Sequence, residues 1–137
     1  SIILSIDYGK VKSGIAVSDE SQGFAFGLAT IATCNLIDYI VNYNIDNNIT
    51  QFVVGQPKRM NDEYSEVEKL IKEFIKKLAL KFPNIPIDRY DERFSSKIAF
   101  QTMIDAGLTK KNRRDKYIID KISATIILQG YLKSKEE

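Results

Sequence analysis

The residues best able to do chemistry in this chain are acidic and stand where regular elements should end. Asp7 follows the apolar run Ile2 to Ile6, Asp91 and Glu92 follow Ile87 to Tyr90, and Asp120 lies in an otherwise apolar stretch near the C-terminus. Histidine is absent and Cys34 is the only cysteine. That composition excludes a Ser-His-Asp triad, a His general base, zinc sites built on His and Cys, and disulfide or CxxC redox chemistry. Carboxylates brought within about 4 Å of one another repel by roughly 4 kcal/mol per pair at an effective dielectric of ~20. A cluster of them therefore needs protons or a divalent cation, and an all-oxygen set suits Mg²⁺ or Mn²⁺. Carboxylate-held Mg²⁺ serves phosphodiester hydrolysis, one ion activating water and another stabilising the departing oxygen.

Each acid also has a plain structural use. An Asp after a strand is commonly a turn residue. Asp91-Glu92-Arg93 is suited to a surface ion pair, or to a loop feeding a Ser95 helix cap. Asp near a helix N-terminus stabilises the dipole. Asp120 is the hardest to explain this way, because its neighbours Ile119 and Ile122 belong to a helix with little polar surface.

Cations gather near these acids. Lys110, Lys111, Arg113, Arg114 and Lys116 fall within seven consecutive positions just ahead of Asp120. A charge run is commonly a solvated face; beside a metal site it becomes a track for phosphates. Lys58 and Arg59 extend that track, and Lys12 and Arg93 flank the proposed acids. The net charge is only +2, so attraction to a polyanion must come from this local clustering. Tyr8, Tyr90 and Phe94 are candidates to stack on bases, with core packing as the alternative.

The elements that must position these groups are legible in the apolar pattern. Ile2 to Ile6 reads as a buried strand, Gly14 to Ser18 as its hairpin partner, and Ala29 to Thr33 as a third strand. Leu36, Ile37, Tyr39, Ile40 and Tyr43 predict a helix behind an Asn35 cap, and Gln51 to Gly55 a strand on a parallel position. Val67, Leu70, Ile71, Phe74, Ile75 and Leu78 mark an amphipathic helix over 65–81, which Pro83 ends. Ile87 to Asp91 reads as a fifth strand, 95–106 as a helix closed by Gly107, and about 117–133 as a final helix apolar around much of its circumference. This order makes an α/β domain with a mixed five-stranded sheet, three antiparallel strands then two parallel ones, flanked by helices. A chain of 137 residues accommodates it as one domain over 1–137.

The motifs resemble a known family. Asp7-Tyr8-Gly9-Lys10-Val11-Lys12-Ser13-Gly14-Ile15-Ala16-Val17-Ser18-Asp19 is similar to the opening D-x-G-x-x-R-x-G-x-A-x-S-D of the YqgF family, also called RuvX or Holliday-junction-resolvase-like. Val53-Val54-Gly55-Gln56-Pro57 resembles its V-V-G-L-P, and Asp91-Glu92-Arg93-Phe94-Ser95-Ser96 its D-E-R-L-T-T. Asp120-Lys121-Ile122-Ser123-Ala124 and Ile127-Leu128-Gln129-Gly130-Tyr131-Leu132 resemble D-K-x-A-A and I-L-Q-x-Y-L. Lys12 replaces the usual Arg, Gln56 a frequent Leu and Ser123 an Ala; none of these changes removes an acid.

The resemblance implies a ribonuclease H-like fold and a Mg²⁺- or Mn²⁺-dependent nuclease that trims the 5′ end of the 16S ribosomal RNA precursor, with Holliday junction resolution as the alternative. Carried over by position, Asp7, Glu92 and Asp120 are the catalytic metal-binding carboxylates, with Asp91 a fourth or substitute ligand. Strand alternation sends Asp91 and Glu92 to opposite faces. Expected partners are precursor rRNA, branched DNA and ribosomal particles, met as a monomer or weak homodimer. Ser1 to Leu4 lacks a leader's basic region, and no run approaches ~18 apolar residues, so a cytoplasmic, membrane-free setting is expected. Two rivals stay open. The hairpin also resembles the phosphate-binding turn of the actin and sugar-kinase superfamily, and a silent RNA-binding module would keep the basic loop without the metal.

Overall fold

The computed structural model describes residues 1–56, 62–91 and 116–136, with side chains described over 1–56, 66–90 and 123–133. The expected helix over 95–106 lies outside them. β1 (Ile2–Asp7) is apolar on both faces because it lies at the centre of the sheet, with β2 (Lys12–Ser18) antiparallel on one side and β4 (Ile49–Gln56) parallel on the other. A strand covered on both faces reads as a continuous hydrophobic run. β3 (Ala25–Ala32) pairs antiparallel with β2, and β5 (Ile87–Asp91) pairs parallel with β4, giving five strands in the order β3-β2-β1-β4-β5. This is the expected mixed sheet.

β3 starts at Ala25, earlier than the Ala29 expected from sequence. It is an edge strand, most of whose residues are only half-buried, so its first half carries no alternating signature. α1 (Leu36–Asp46) follows a short 3₁₀ turn, Thr33–Asn35. Asn35 holds the N-cap position, but its side chain makes no capping hydrogen bond, contrary to the expected cap.

The sheet separates two apolar layers. Ile2, Leu4, Ile6, Ile15, Val17, Phe52 and Val54 pack with Leu36 and Ile40 of α1 and with Ile71, Phe74 and Leu78 of α2 (Asp62–Lys81). On the opposite face Ile3, Ala16 and Val53 pack with Ala124, Ile127, Leu128, Tyr131 and Leu132 of α3 (Lys116–Glu136). Consecutive residues of β1 thus serve different layers, as strand geometry requires. None of the described helices is long and apolar enough to cross a membrane.

Candidate active site

β1, β4 and β5 run parallel, so their C-terminal ends share one rim, where ligands of open α/β sheets collect. Asp7 ends β1 there, half-buried and paired with Gly14 of β2. It has the parity of Ile3, which packs on α3, and of Ser5, whose buried hydroxyl donates to the Ala124 carbonyl of α3 at 2.8 Å. Lys12 lies on β2 at the parity of Gly14 and Ala16, and so belongs to the same face as Asp7.

Asp91 ends β5 beside Gln56 of β4. The even positions of this strand meet α3: Asp88 accepts a hydrogen bond from the Tyr131 hydroxyl at 2.6 Å, and Tyr90 packs into the α3 layer. The odd positions meet α2: Ile87 packs in its layer, and Arg89 binds Glu68. Position 91 has odd parity. Asp120 falls within α3, one helical turn before Ala124, and Lys116 opens that helix. Glu92, Arg93, Lys58, Arg59, Lys110, Lys111, Arg113 and Arg114 lie outside the described residues. Among the described residues no three acidic, His or Cys side chains form a metal-holding group; of the expected catalytic ligands, only Asp7 has a described side chain.

Two arrangements at the rim were missed from sequence. Between β1 and β2, the Ser13 hydroxyl accepts from the Gly9 amide at 3.2 Å and lies 2.8 Å from the Thr33 hydroxyl, which donates to the Gly9 carbonyl at 2.7 Å. The Thr33 proton is committed to Gly9, so Ser13 must donate to Thr33. The Thr33 amide also donates to the Val11 carbonyl at 2.8 Å. An added Cβ at Gly9 would lie 2.2 Å from the Lys12 carbonyl oxygen, so only glycine fits. Short hydroxyl side chains are ordinary turn residues, and nothing in their spacing marks this closed set of bonds.

The second arrangement is a pair. Arg89 Nη1 lies 2.7 Å from Glu68 Oε1, while its Nε and Nη2 donate to the Val54 and Gly55 carbonyls at 3.2 and 3.0 Å. Glu68 is buried. The pair ties α2 and β5 to the end of β4, just before Pro57.

Tyr8 and Tyr90 have packing roles. The Tyr8 ring lies 5.3 Å from that of Phe74, and burial, then the Glu73 charge, raises its phenol above the ordinary value. Tyr90 approaches α3 so closely that a Cβ at Gly130 would come within 2.3 Å of its hydroxyl oxygen. Phe94 lies outside the described residues.

Residues 1–134 match the RuvX family, described as Holliday junction resolvase. The chain belongs to that family. A Christiangramia forsetii relative named as a candidate pre-16S rRNA nuclease is 50% identical over 130 residues, covering 95% of this chain and 96% of the relative. A Flavobacterium johnsoniae relative of the same name is 50% identical over 133 residues, covering 97% and 96%. Among solved structures, Thermus thermophilus RuvC in complex with a Holliday junction substrate superposes with a TM-score of 0.62 at 12% identity, covering 98% of this chain and 95% of RuvC. The fowlpox virus resolvase bound to junction DNA gives 0.60 at 16% identity, over the whole of both chains. These two likenesses show the fold alone, and it is the ribonuclease H-like one that the family motifs implied.

Proposed function

We propose that this chain is a divalent-metal-dependent endonuclease that hydrolyses phosphodiester bonds and processes the 5′ end of precursor 16S ribosomal RNA. The family membership and the shared name of the half-identical relatives support the substrate. The observation that carries the chemistry is the hydrogen bond from Ser5 to Ala124. α3 is fixed there beside β1, with Asp7 two residues onward on the strand and Asp120 four residues back on the helix. Two strand residues advance roughly 6.8 Å and four helical residues about 6 Å. Both steps lead toward the rim when helix and strand run in opposite directions. Ile3, two residues before Ser5, packs in the layer of Ile127, Leu128 and Tyr131, which follow Ala124. That supports the antiparallel course.

The donor set fits a hard cation. With no histidine in the chain, Asp7, Asp120 and Glu92 would hold Mg²⁺ or Mn²⁺ through oxygen alone. The odd parity of Asp91, on the α2 side of β5, favours Glu92 over Asp91 as the third ligand. Bound there, the cation supplies water activation and charge neutralisation for in-line attack. Asp7 and Asp120 would hold that cation from two different elements. Lys12, on the face of Asp7, together with Lys58, Arg59, Arg93 and the cations of 110–116, holds the phosphate backbone. The same site serves a monomer trimming one RNA end.

The test compares end-labelled precursor rRNA and a four-way DNA junction, each with Mg²⁺ or EDTA, using the wild-type chain and Asp7→Asn. Metal-dependent cleavage near the mature 5′ end, abolished in the variant, is the expected result. Paired symmetric junction cuts without RNA trimming would replace the substrate. Binding without cleavage of either would leave only an RNA-binding module.

A further inference from the structure

The turn that follows Asp7 has an unusual composition and an unusual support. Its tip is Lys10-Val11, directly before Lys12 opens β2, and Val11 is 69% exposed. Tips of tight turns commonly carry Gly, Asn, Asp or Ser, which tolerate the backbone and like water. A single exposed apolar side chain would need no explanation. This one is held from below at its own carbonyl and at Gly9, two residues before it. Ser13 and Thr33 satisfy the Gly9 amide and carbonyl, and the Thr33 amide takes the Val11 carbonyl. Ser13 is fully buried. The Lys10 ammonium is tethered 3.2 Å from Glu66 of α2, and Gly9 has no room to become any other residue. The turn is thus braced by the 3₁₀ segment at the end of β3 and tied to α2, and it begins directly after the acid that ends β1.

We infer that Val11 is a substrate-contacting residue, a fixed apolar tip that packs against the nucleoside beside the scissile phosphate. This deepens the nuclease reading and rests on it. Nucleic acid offers two chemistries next to each phosphate: anionic oxygens, and the apolar faces of sugar and base. Lys12 suits the first, and Val11 beside it suits the second. Rigid support matters because a group that need not be ordered on binding loses less entropy. Thr33 and Ser13 act through the turn and are positioning residues.

The test uses the whole chain. Cleavage kinetics on precursor rRNA are paired with binding, in EDTA, of a fluorescein-labelled single-stranded RNA of about 12 nucleotides. Val11→Ser is expected to raise KM and weaken RNA binding by about tenfold with kcat within about twofold of wild type. Val11→Leu restores both, and neither substitution moves the thermal midpoint. Thr33→Val raises KM in the same way and Thr33→Ser restores it. Wild-type binding and KM in Val11→Ser would overturn the inference. Asp7→Asn separates it from the reading beneath. If that variant still cleaves at the wild-type rate, the nuclease reading falls, whereas weakened RNA binding by Val11→Ser stands without cleavage.

Discussion

Adjacent carboxylates at 91 and 92 look equivalent as letters, but Asp91 ends β5 at an odd position, and strand alternation gives successive positions opposite parity. Asp88 and Tyr90 engage α3, while Ile87 and Arg89 engage the α2 side. The proposed metal site lies with Asp7 on the α3 side. Glu92→Gln should therefore lower cleavage by roughly 100-fold or more, the scale of losing one group that stabilises the transition state. Asp91→Asn should stay within a few-fold, and single-turnover rates of the two variants decide it; the reverse order would move the ligand to 91. A second residue reports on pH. Burial, then the hydrogen bond to Asp88, pushes the Tyr131 phenol from 10.0 to about 12. The unfolded chain gives up this proton first, so Tyr131 contributes fully below pH ~10 and its contribution is lost as pH rises toward ~12. Urea midpoints should fall more steeply over that window in wild type than in Tyr131→Phe. Parallel curves would show that the phenol does not titrate there.

At the scale of elements, the junction of β4, β5 and α2 depends on a charge pair hidden from the sequence. Glu68 is buried, and Arg89 spends its donors on it and on two carbonyls of β4. Removing one partner strands the other, so Arg89→Met or Glu68→Met should each cost about 3 kcal/mol, with the double variant recovering much of it. A chemical-denaturation cycle measures this; additive losses would mean the two groups are not coupled. Sequence reading anticipated the strands and helices with strong periodicity. Ile2 to Ile6 and Ile71, Phe74 and Leu78 sit in the core as their spacing required. It missed the start of β3, because a half-covered edge strand with Gly27 in it leaves little hydrophobic pattern. The loop before it turns on Asp19, whose carboxylate takes the Gly23 and Phe24 amides, with Gln22 at a positive φ of 60°. The place of Asp7 at the end of β1 was legible because it closes an apolar run. Ser13, Thr33 and Arg89 were not, since their roles come from partners twenty or more residues away.

For the whole molecule, net charge is a poor guide to affinity for a polyanion. A balance of +2 provides almost no long-range pull on RNA, so the proposed binding rests on the cations clustered in sequence over 110–116 and on the counterions they release. That makes affinity steeply salt-dependent despite the near-neutral total, because the slope follows the phosphates neutralised rather than net charge. Replacing Lys110, Lys111, Arg113 and Arg114 by Gln should flatten the plot of log affinity against log salt by roughly 0.7 to 0.9 for each phosphate that is no longer neutralised, or about 3 in all. Fluorescence anisotropy of labelled precursor rRNA across a salt series, in EDTA, reads this directly. A solvated loop that never touches RNA would leave the slope unchanged, even if the variant altered the chain's net charge and stability. The same series with Val11→Ser should keep the wild-type slope while lowering affinity at every salt concentration, since apolar packing releases no counterions. Parallel displacement for the turn and a changed slope for the basic stretch would assign them to separate parts of one interface: the turn grips the nucleoside beside Asp7, and the cations hold the backbone around it.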